Sequence, residues 1–109
     1  MKTRRKSCQE YGISRRAIQG YEKYKLVHYT SKNKYGHLLY DEDMVNRIVF
    51  IQFLQKLGLS LKEISQFING TENEIKDVLE MRIQYLEGKK MALDALIEKT
   101  NKYIKDMED

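Results

Sequence analysis

The 109-residue sequence contains no proline and only six glycines, so long helices can run through it unbroken. Its single cysteine, Cys8, excludes an intramolecular disulfide and fits a reducing, cytoplasmic setting. No apolar run approaches the ~20 residues that a membrane-spanning helix needs. The start Met1-Lys-Thr-Arg-Arg-Lys6 leads into no apolar stretch, so a secretory signal is not expected either. Imidazole and thiol ligands are scarce: His28, His37 and Cys8 form no Cys-x-x-Cys pair and no histidine pair at helical spacing. Neither a metal nor a cofactor is expected, and Cys8 reads as a small core residue before it reads as a redox thiol. The carboxylates fall in helix caps or on solvated faces, away from any histidine or serine constellation, and no glycine-rich phosphate loop occurs. No catalytic residue is expected, and the chain is not read as an enzyme. Its length suits one modest core plus an extended appendage.

Charge is present but uneven. Residues 1–40 hold ten Lys/Arg against Glu10 and Glu22, a net of +8. Residues 41–109 hold ten bases against fourteen acids, a net of −4. A solubility device is the weaker reading of such a pattern. A field gathered on one third of the chain also suits a polyanion, with counterion release supplying much of the affinity.

Gly12 interrupts the first segment. Before it, Ser7 to Tyr11 suits a short helix with Cys8 and Tyr11 inward. After it, Ser14 is placed to cap a second helix running to about Tyr24, with Ala17, Ile18, Tyr21 and Tyr24 on its inner side. Two short helices joined by a glycine turn make a helix-turn-helix pattern. Val27–Thr30 and His37–Tyr40 are β-favouring runs around a cationic turn, Ser31-Lys-Asn-Lys-Tyr-Gly36, which predicts a hairpin with a basic tip. Asp41 opens a third helix with an apolar stripe through Met44, Ile48, Ile51, Leu54 and Leu57, ended by Gly58. Ser60-Leu-Lys-Glu63 is a capping box for a fourth helix, and Thr71-Glu-Asn-Glu74 a second one, opening the last.

On that last helix, Leu79, Ile83, Leu86, Lys90, Leu93, Ile97, Thr100, Ile104 and Met107 recur at alternating spacings of four and three. This is a coiled-coil seam over about four heptads. A helix of about 36 residues is about 54 Å long, more than a 70-residue head can cover, so folding back is the weaker expectation. A second copy is the expected partner, through Leu79, Ile83, Leu86, Leu93, Ile97 and Ile104. The expected division is a DNA-binding head over 1–70 and a dimerisation helix over 71–109.

Three strings and the order of elements resemble the MerR family of bacterial transcription regulators. They are Gly12-Ile-Ser14 followed by Tyr21-Glu-Lys-Tyr-Lys-Leu26; Gly36 to Tyr40 leading into Asp41-Glu-Asp43; and Phe53-Leu-Gln-Lys-Leu-Gly-Leu-Ser-Leu-Lys-Glu-Ile64. The resemblance covers the chain from about Ser7 onward. It implies a mainly α fold: a winged helix-turn-helix head with a small β-hairpin and a long C-terminal antiparallel coiled-coil dimerisation helix. It also implies a homodimer on a palindromic promoter site in double-stranded DNA, bending an over-long spacer so that RNA polymerase can engage. Two departures stand out. The family's Thr-x-Arg-Tyr-Tyr reads Ala17-Ile18-Gln19-Gly20-Tyr21 here, and its Gly-Tyr-Arg-x-Tyr reads Gly36-His37-Leu38-Leu39-Tyr40.

Ser14, Arg15, Arg16 and Gln19 lie at the start of the second helix, where base edges come within reach. Arginine can bond guanine, and glutamine adenine, through two hydrogen bonds each. Lys23, farther along, and Lys32, Lys34, Tyr35 and His37 on the hairpin tip suit phosphate contacts, which position without specifying. Lys56, beside Lys62, suits a second wing. Tyr21 matches the family tyrosine that donates to a phosphate, with a core aromatic as the even alternative. Tyr40 matches the wing-terminal tyrosine and is expected to pack on the third helix. Two other function classes stay open: a DNA-bending recombination accessory factor of a mobile element, and a protein-interaction module whose head no longer binds DNA. With no effector domain expected after the coiled coil, a constitutive regulator is the simpler expectation.

Overall fold

The computed structural model describes residues 1–108. The order is β1 (Lys2–Thr3), α1 (Arg4–Tyr11), α2 (Arg15–Lys23), β2 (Ser31–Lys32), β3 (Leu38–Tyr40), α3 (Glu42–Lys56), α4 (Leu61–Phe67) and α5 (Glu72–Glu108). The chain divides into two compact units, the first Met1–Asn69 and the second beginning at Gly70. Among the described residues, no helix is long and apolar enough to cross a membrane, and no group of His, Cys, Asp and Glu could hold a metal ion.

Short polar side chains start the helices. Thr3, Ser14, Asp41, Ser60 and Thr71 accept from the backbone N–H three residues on, at 2.8–3.2 Å. Each satisfies an amide that the helix leaves unpaired. At Ser60 the box is reciprocal, since the Ser60 N–H donates to Glu63 at 3.1 Å.

Three helices of the first unit end alike. Past each end sits a residue of positive φ: Gly12 (64°), Lys25 (60°) and Gly58 (93°). The N–H of the next residue then reaches back to a carbonyl of the last turn: Ile13 to Cys8, Leu26 to Tyr21, Leu59 to Leu54. Ile13, Leu26 and Leu59 are all buried, so each turn both closes its helix and drives an apolar anchor into the core. Only the middle turn lacks glycine, and a lysine in that conformation costs roughly 1 kcal/mol.

The core gathers Ile18 and Tyr21 of α2, Tyr40 of β3, Val45, Ile48, Ile51 and Leu54 of α3, and Ile64 of α4. Met44 and Leu57, at the ends of the α3 stripe, are only half-buried, and Phe53 is exposed. Tyr24, expected inward, is exposed at the C-terminus of α2. In α1 the fully buried residue is Ser7, while Cys8 and Tyr11 are half-buried. Helix α1 also starts three residues earlier than expected, because Thr3 caps it.

Gly20 sits inside α2 with an ordinary φ, and a Cβ there would lie 3.7 Å from Leu61 Cδ1, a normal contact. Gly20→Ala is therefore expected to stabilise the protein by about 0.5–1 kcal/mol and to raise the thermal midpoint by a few degrees. A lowered midpoint at equal concentration would mean that the space at Gly20 is needed.

The hairpin differs from the expected one. Its strands are Ser31–Lys32 and Leu38–Tyr40, paired Ser31 to Leu39 and Lys32 to Leu38. Val27–Thr30 is not a strand. Leu26 and Val27 turn into the core, and the Leu26 carbonyl takes its hydrogen bond from Arg47 Nε at 2.5 Å instead of a ladder. A third strand joins the other edge of β3, with Lys2 opposite Tyr40 and Thr3 opposite Leu39, giving the order β1-β3-β2. A short two-stranded ribbon is marginal alone, and this edge strand ties it to α1.

Candidate nucleic-acid interface

Helix α2 presents one cationic side. At 3.6 residues per turn, Arg15, Gln19, Lys23 and Arg16 fall within an arc of about 100°. All four are exposed, whereas Ile18 and Tyr21 on the opposite side are buried. Ser14 caps the helix, its Oγ accepting from the Ala17 N–H at 3.0 Å. The N-terminal pole of α2 thus carries two guanidinium groups and no acid in its first turn.

The wing turn is preorganised by Asn33. Its Oδ1 accepts from the N–H groups of Tyr35 and His37, each at 2.9 Å. The Gly36 N–H returns to the Asn33 carbonyl at 3.0 Å, and Gly36 takes the left-handed φ of 78° that glycine reaches most easily. This turn holds Lys34, Tyr35 and His37 outward. Lys34 Nζ stands 5.1 Å from the Tyr35 ring centre, and Lys32 Nζ 5.5 Å from that of Tyr29.

Between the two lies a groove of about 720 Å³, lined by Thr3, Arg4, Arg5, Cys8, Gln9, Arg15, Gly36, His37 and Leu38. It brings Arg15 of α2 and His37 of the wing to one place, and no acid lines it. Arg5 and Gln9 enter this surface although sequence reasoning passed them over. The expected first helix began at Ser7, which left Arg5 without a face. Arg16, Gln19 and Lys23 continue the surface along α2, and Lys32, Lys34 and Tyr35 project from the turn. Lys56 is exposed at the end of α3, outside the groove.

The uneven charge has a structural counterpart. Both acids of the first forty residues are used internally: Glu10 pairs with Lys2 at 2.5 Å and Glu22 with Arg4 at 2.9 Å. The other eight bases of that segment enter no ion pair among the described residues.

Two tyrosine hydroxyls are engaged inside the head. Tyr21 is 1% exposed and its hydroxyl donates to Gln55 Oε1 at 2.7 Å. Burial raises its pKa above that of an ordinary tyrosine, so it stays a neutral donor at neutral pH. The phosphate contact expected of Tyr21 gives way to the core role, because the group it would offer is already engaged. Tyr40 is fully buried, and its hydroxyl reaches α1 and α2: it accepts from Arg4 Nε at 3.3 Å and donates to Glu22 Oε1. Burial, then the bond to Glu22, pushes the Tyr40 hydroxyl up to about 12.

A capped, cation-bearing second helix beside a basic three-stranded wing defines a winged helix-turn-helix head of the nucleic-acid-binding class. Residues 5–71 match the family described as MerR HTH family regulatory protein, and residues 45–107 match that described as MerR, DNA binding. The chain belongs to the MerR family. One relative is the nodulation protein NolA of Bradyrhizobium elkanii, 33% identical over 76 residues, covering 70% of this chain and 34% of that protein. Another is the mercuric resistance operon regulatory protein of Bacillus cereus, 27% identical over 79 residues, covering 70% and 60%. The chain spans about a third of the length of the NolA proteins it matches. Among solved structures, the N-terminus of MtaN, the Bacillus subtilis multidrug transporter activator, has a similar fold. It superposes with a TM-score of 0.77 at 21% identity, over 95% of this chain and 98% of that one. HiNmlR, a MerR family regulator lacking the sensor domain and bound to promoter DNA, superposes with a TM-score of 0.56 at 24% identity, over 94% and 77%.

Proposed function

We propose that this protein is a transcription regulator that binds a palindromic site in double-stranded DNA as a homodimer. The observation that carries this reading is the continuous cationic surface of α2, groove and wing, with both nearby acids neutralised internally. In it, the start of α2 enters the major groove, where Arg16 and Gln19 reach base edges and Arg15 a phosphate. Lys23, Arg5, Lys32, Lys34, Tyr35 and His37 hold the flanking backbone, and Lys56 reaches a phosphate from the end of α3. The same fold stands on promoter DNA in HiNmlR, which supports docking on a duplex. At a promoter, such a dimer would present bent DNA to RNA polymerase.

The exposed stripe of α5 supports the dimer. No residue of this 37-residue helix is buried in the single chain, and Ile83, Leu86, Leu93, Ile97 and Ile104 are 40–59% exposed. A stripe of this kind is covered most simply by its own copy.

Titrating random duplexes against salt tests the reading. A dimer neutralising about eight phosphates should lose affinity with a slope near −7 in log K against log salt. A random-library selection should then return an inverted repeat. No binding to any duplex at low salt would overturn the proposal and leave a protein-interaction role.

A further inference from the structure

We propose that Arg4, Glu22 and Tyr40 form a clasp that sets the angle of the wing against α2, so that the wing's grip on DNA depends on it. This rests on the DNA-binding reading above. The three residues come from the three elements that carry the cationic surface. Arg4 begins α1, directly before Arg5; Glu22 lies in the last turn of α2; Tyr40 ends β3. Arg4 Nη2 donates to both carboxylate oxygens of Glu22, at 3.0 and 2.9 Å. Its Nε reaches the Tyr40 hydroxyl at 3.3 Å, and that hydroxyl donates on to Glu22 Oε1, closing the ring. The Arg4 and Glu22 side chains are 16% and 24% exposed, and Tyr40 is fully buried.

Such a cluster contributes more to geometry than to stability. Desolvating an ion pair offsets much of what its attraction returns, and apolar replacements are often neutral. Its directional bonds nonetheless fix three elements in one arrangement. β3 also packs against α1 and α3, but packing contacts lack the direction that fixes an angle. The wing's strands are two and three residues long, and the ladder that ties it to the first strand is two residues long and ends at the clasp itself through the pairing of Lys2 with Tyr40. The clasp residues are therefore positioning residues, acting on DNA through Lys32 and Lys34.

A double-mutant cycle tests this in the full chain. The clasp is opened with Arg4→Met/Glu22→Gln, which leaves no unpaired charge, and the wing is silenced with Lys32→Ala/Lys34→Ala. In the unaltered background the wing changes should weaken binding to a selected duplex roughly tenfold and flatten its salt dependence. With the clasp open they should cost less than about twofold, because the wing no longer engages. Arg4→Lys should restore part of the difference. Tyr40→Phe, which keeps the ring in the core, gives a second opening if the first variant folds poorly by circular dichroism. Equal wing effects in both backgrounds overturn the clasp, and so does a wing variant silent in the unaltered protein. Absence of DNA binding by the unaltered protein would instead defeat the reading on which this one rests.

Discussion

Leu93→Asp is expected to leave the protein monomeric at micromolar concentration, where the unaltered chain is expected to sediment as a dimer. Leu93 lies at the middle of the α5 seam and is 59% exposed in the single chain. A central layer of a two-stranded coil is its most thoroughly desolvated part, so a carboxylate there has neither water nor a counter-charge. The cost is several kcal/mol per ion, and a two-fold interface incurs it twice. Two further readouts should move together. Helicity should fall, since a lone amphipathic helix without its partner is weakly held. Affinity for an inverted repeat should drop by about a hundredfold or more, because tethering two heads makes the second contact effectively intramolecular. Sedimentation equilibrium showing an intact dimer would move the interface away from this seam.

In the proposed dimer, Lys90 bears on the direction in which two copies would pair. Ile83, Lys90, Ile97 and Ile104 take heptad position a, and Leu79, Leu86, Leu93, Thr100 and Met107 position d. The flanking e positions are Glu80, Glu87, Asp94, Asn101 and Glu108; the g positions are Arg82, Lys89, Leu96 and Tyr103. Parallel strands would gain rim pairs, Arg82 with the partner's Glu87 and Lys89 with the partner's Asp94, worth about 0–1 kcal/mol each. They would also set Lys90 against the partner's Lys90 in one desolvated layer, at a cost of several kcal/mol. Antiparallel strands set a against d, so Lys90 meets a position-d residue of the other copy instead of a second ammonium, while Glu87 and Asp94 flank it one turn away on its own helix. Antiparallel strands also set e against e, opposing Glu80, Glu87 and Asp94 of the two copies at a cost of about 0–1 kcal/mol per pair; the buried Lys90 layer costs more than this rim, and we infer an antiparallel pair. A cysteine at Ile83, in a Cys8→Ser background, should fail to cross-link to its own copy; ready cross-linking would reverse the assignment.

The elements legible in the sequence were those whose signal is local. Ser14, Asp41, Ser60 and Thr71 each announce a helix by a side chain that caps it three residues on. The stripe through Ile48, Ile51 and Leu54 likewise carries its own period. What escaped notice depends on distant partners. Lys2–Thr3 is too short to alternate and becomes a strand only by lying against β3. Val27–Thr30 has β-favouring residues, but the Leu26 carbonyl before it is satisfied by a guanidinium 21 residues away. The site divides in the same way. Arg15, Arg16, Gln19 and Lys23 follow from helical period alone. The role of Tyr21 turns on Gln55, 34 residues on, which no local pattern reveals.

Arg15→Ala and Arg16→Ala are expected to weaken DNA binding in different ways. The two side chains leave α2 about 100° apart. Arg15 lines the groove with Arg5, Gln9 and His37, where a sugar-phosphate strand would run between helix and wing. Arg16 lies outside that groove, on the far side of Gln19, and is exposed. A phosphate contact is blind to sequence. Arg15→Ala should therefore weaken specific and random duplexes alike and lower the salt slope by about 1 per head. A base contact is selective. Arg16→Ala should cost about 1–3 kcal/mol on the selected site, much less on random duplex, and should relax the consensus at one position of each half-site. Selection from a random library with each variant separates the two outcomes. If Arg15→Ala relaxes one base position while Arg16→Ala lowers every duplex equally, the helix sits in its groove rotated by about a quarter turn from the orientation inferred here. If neither variant changes affinity, α2 is not the reading helix.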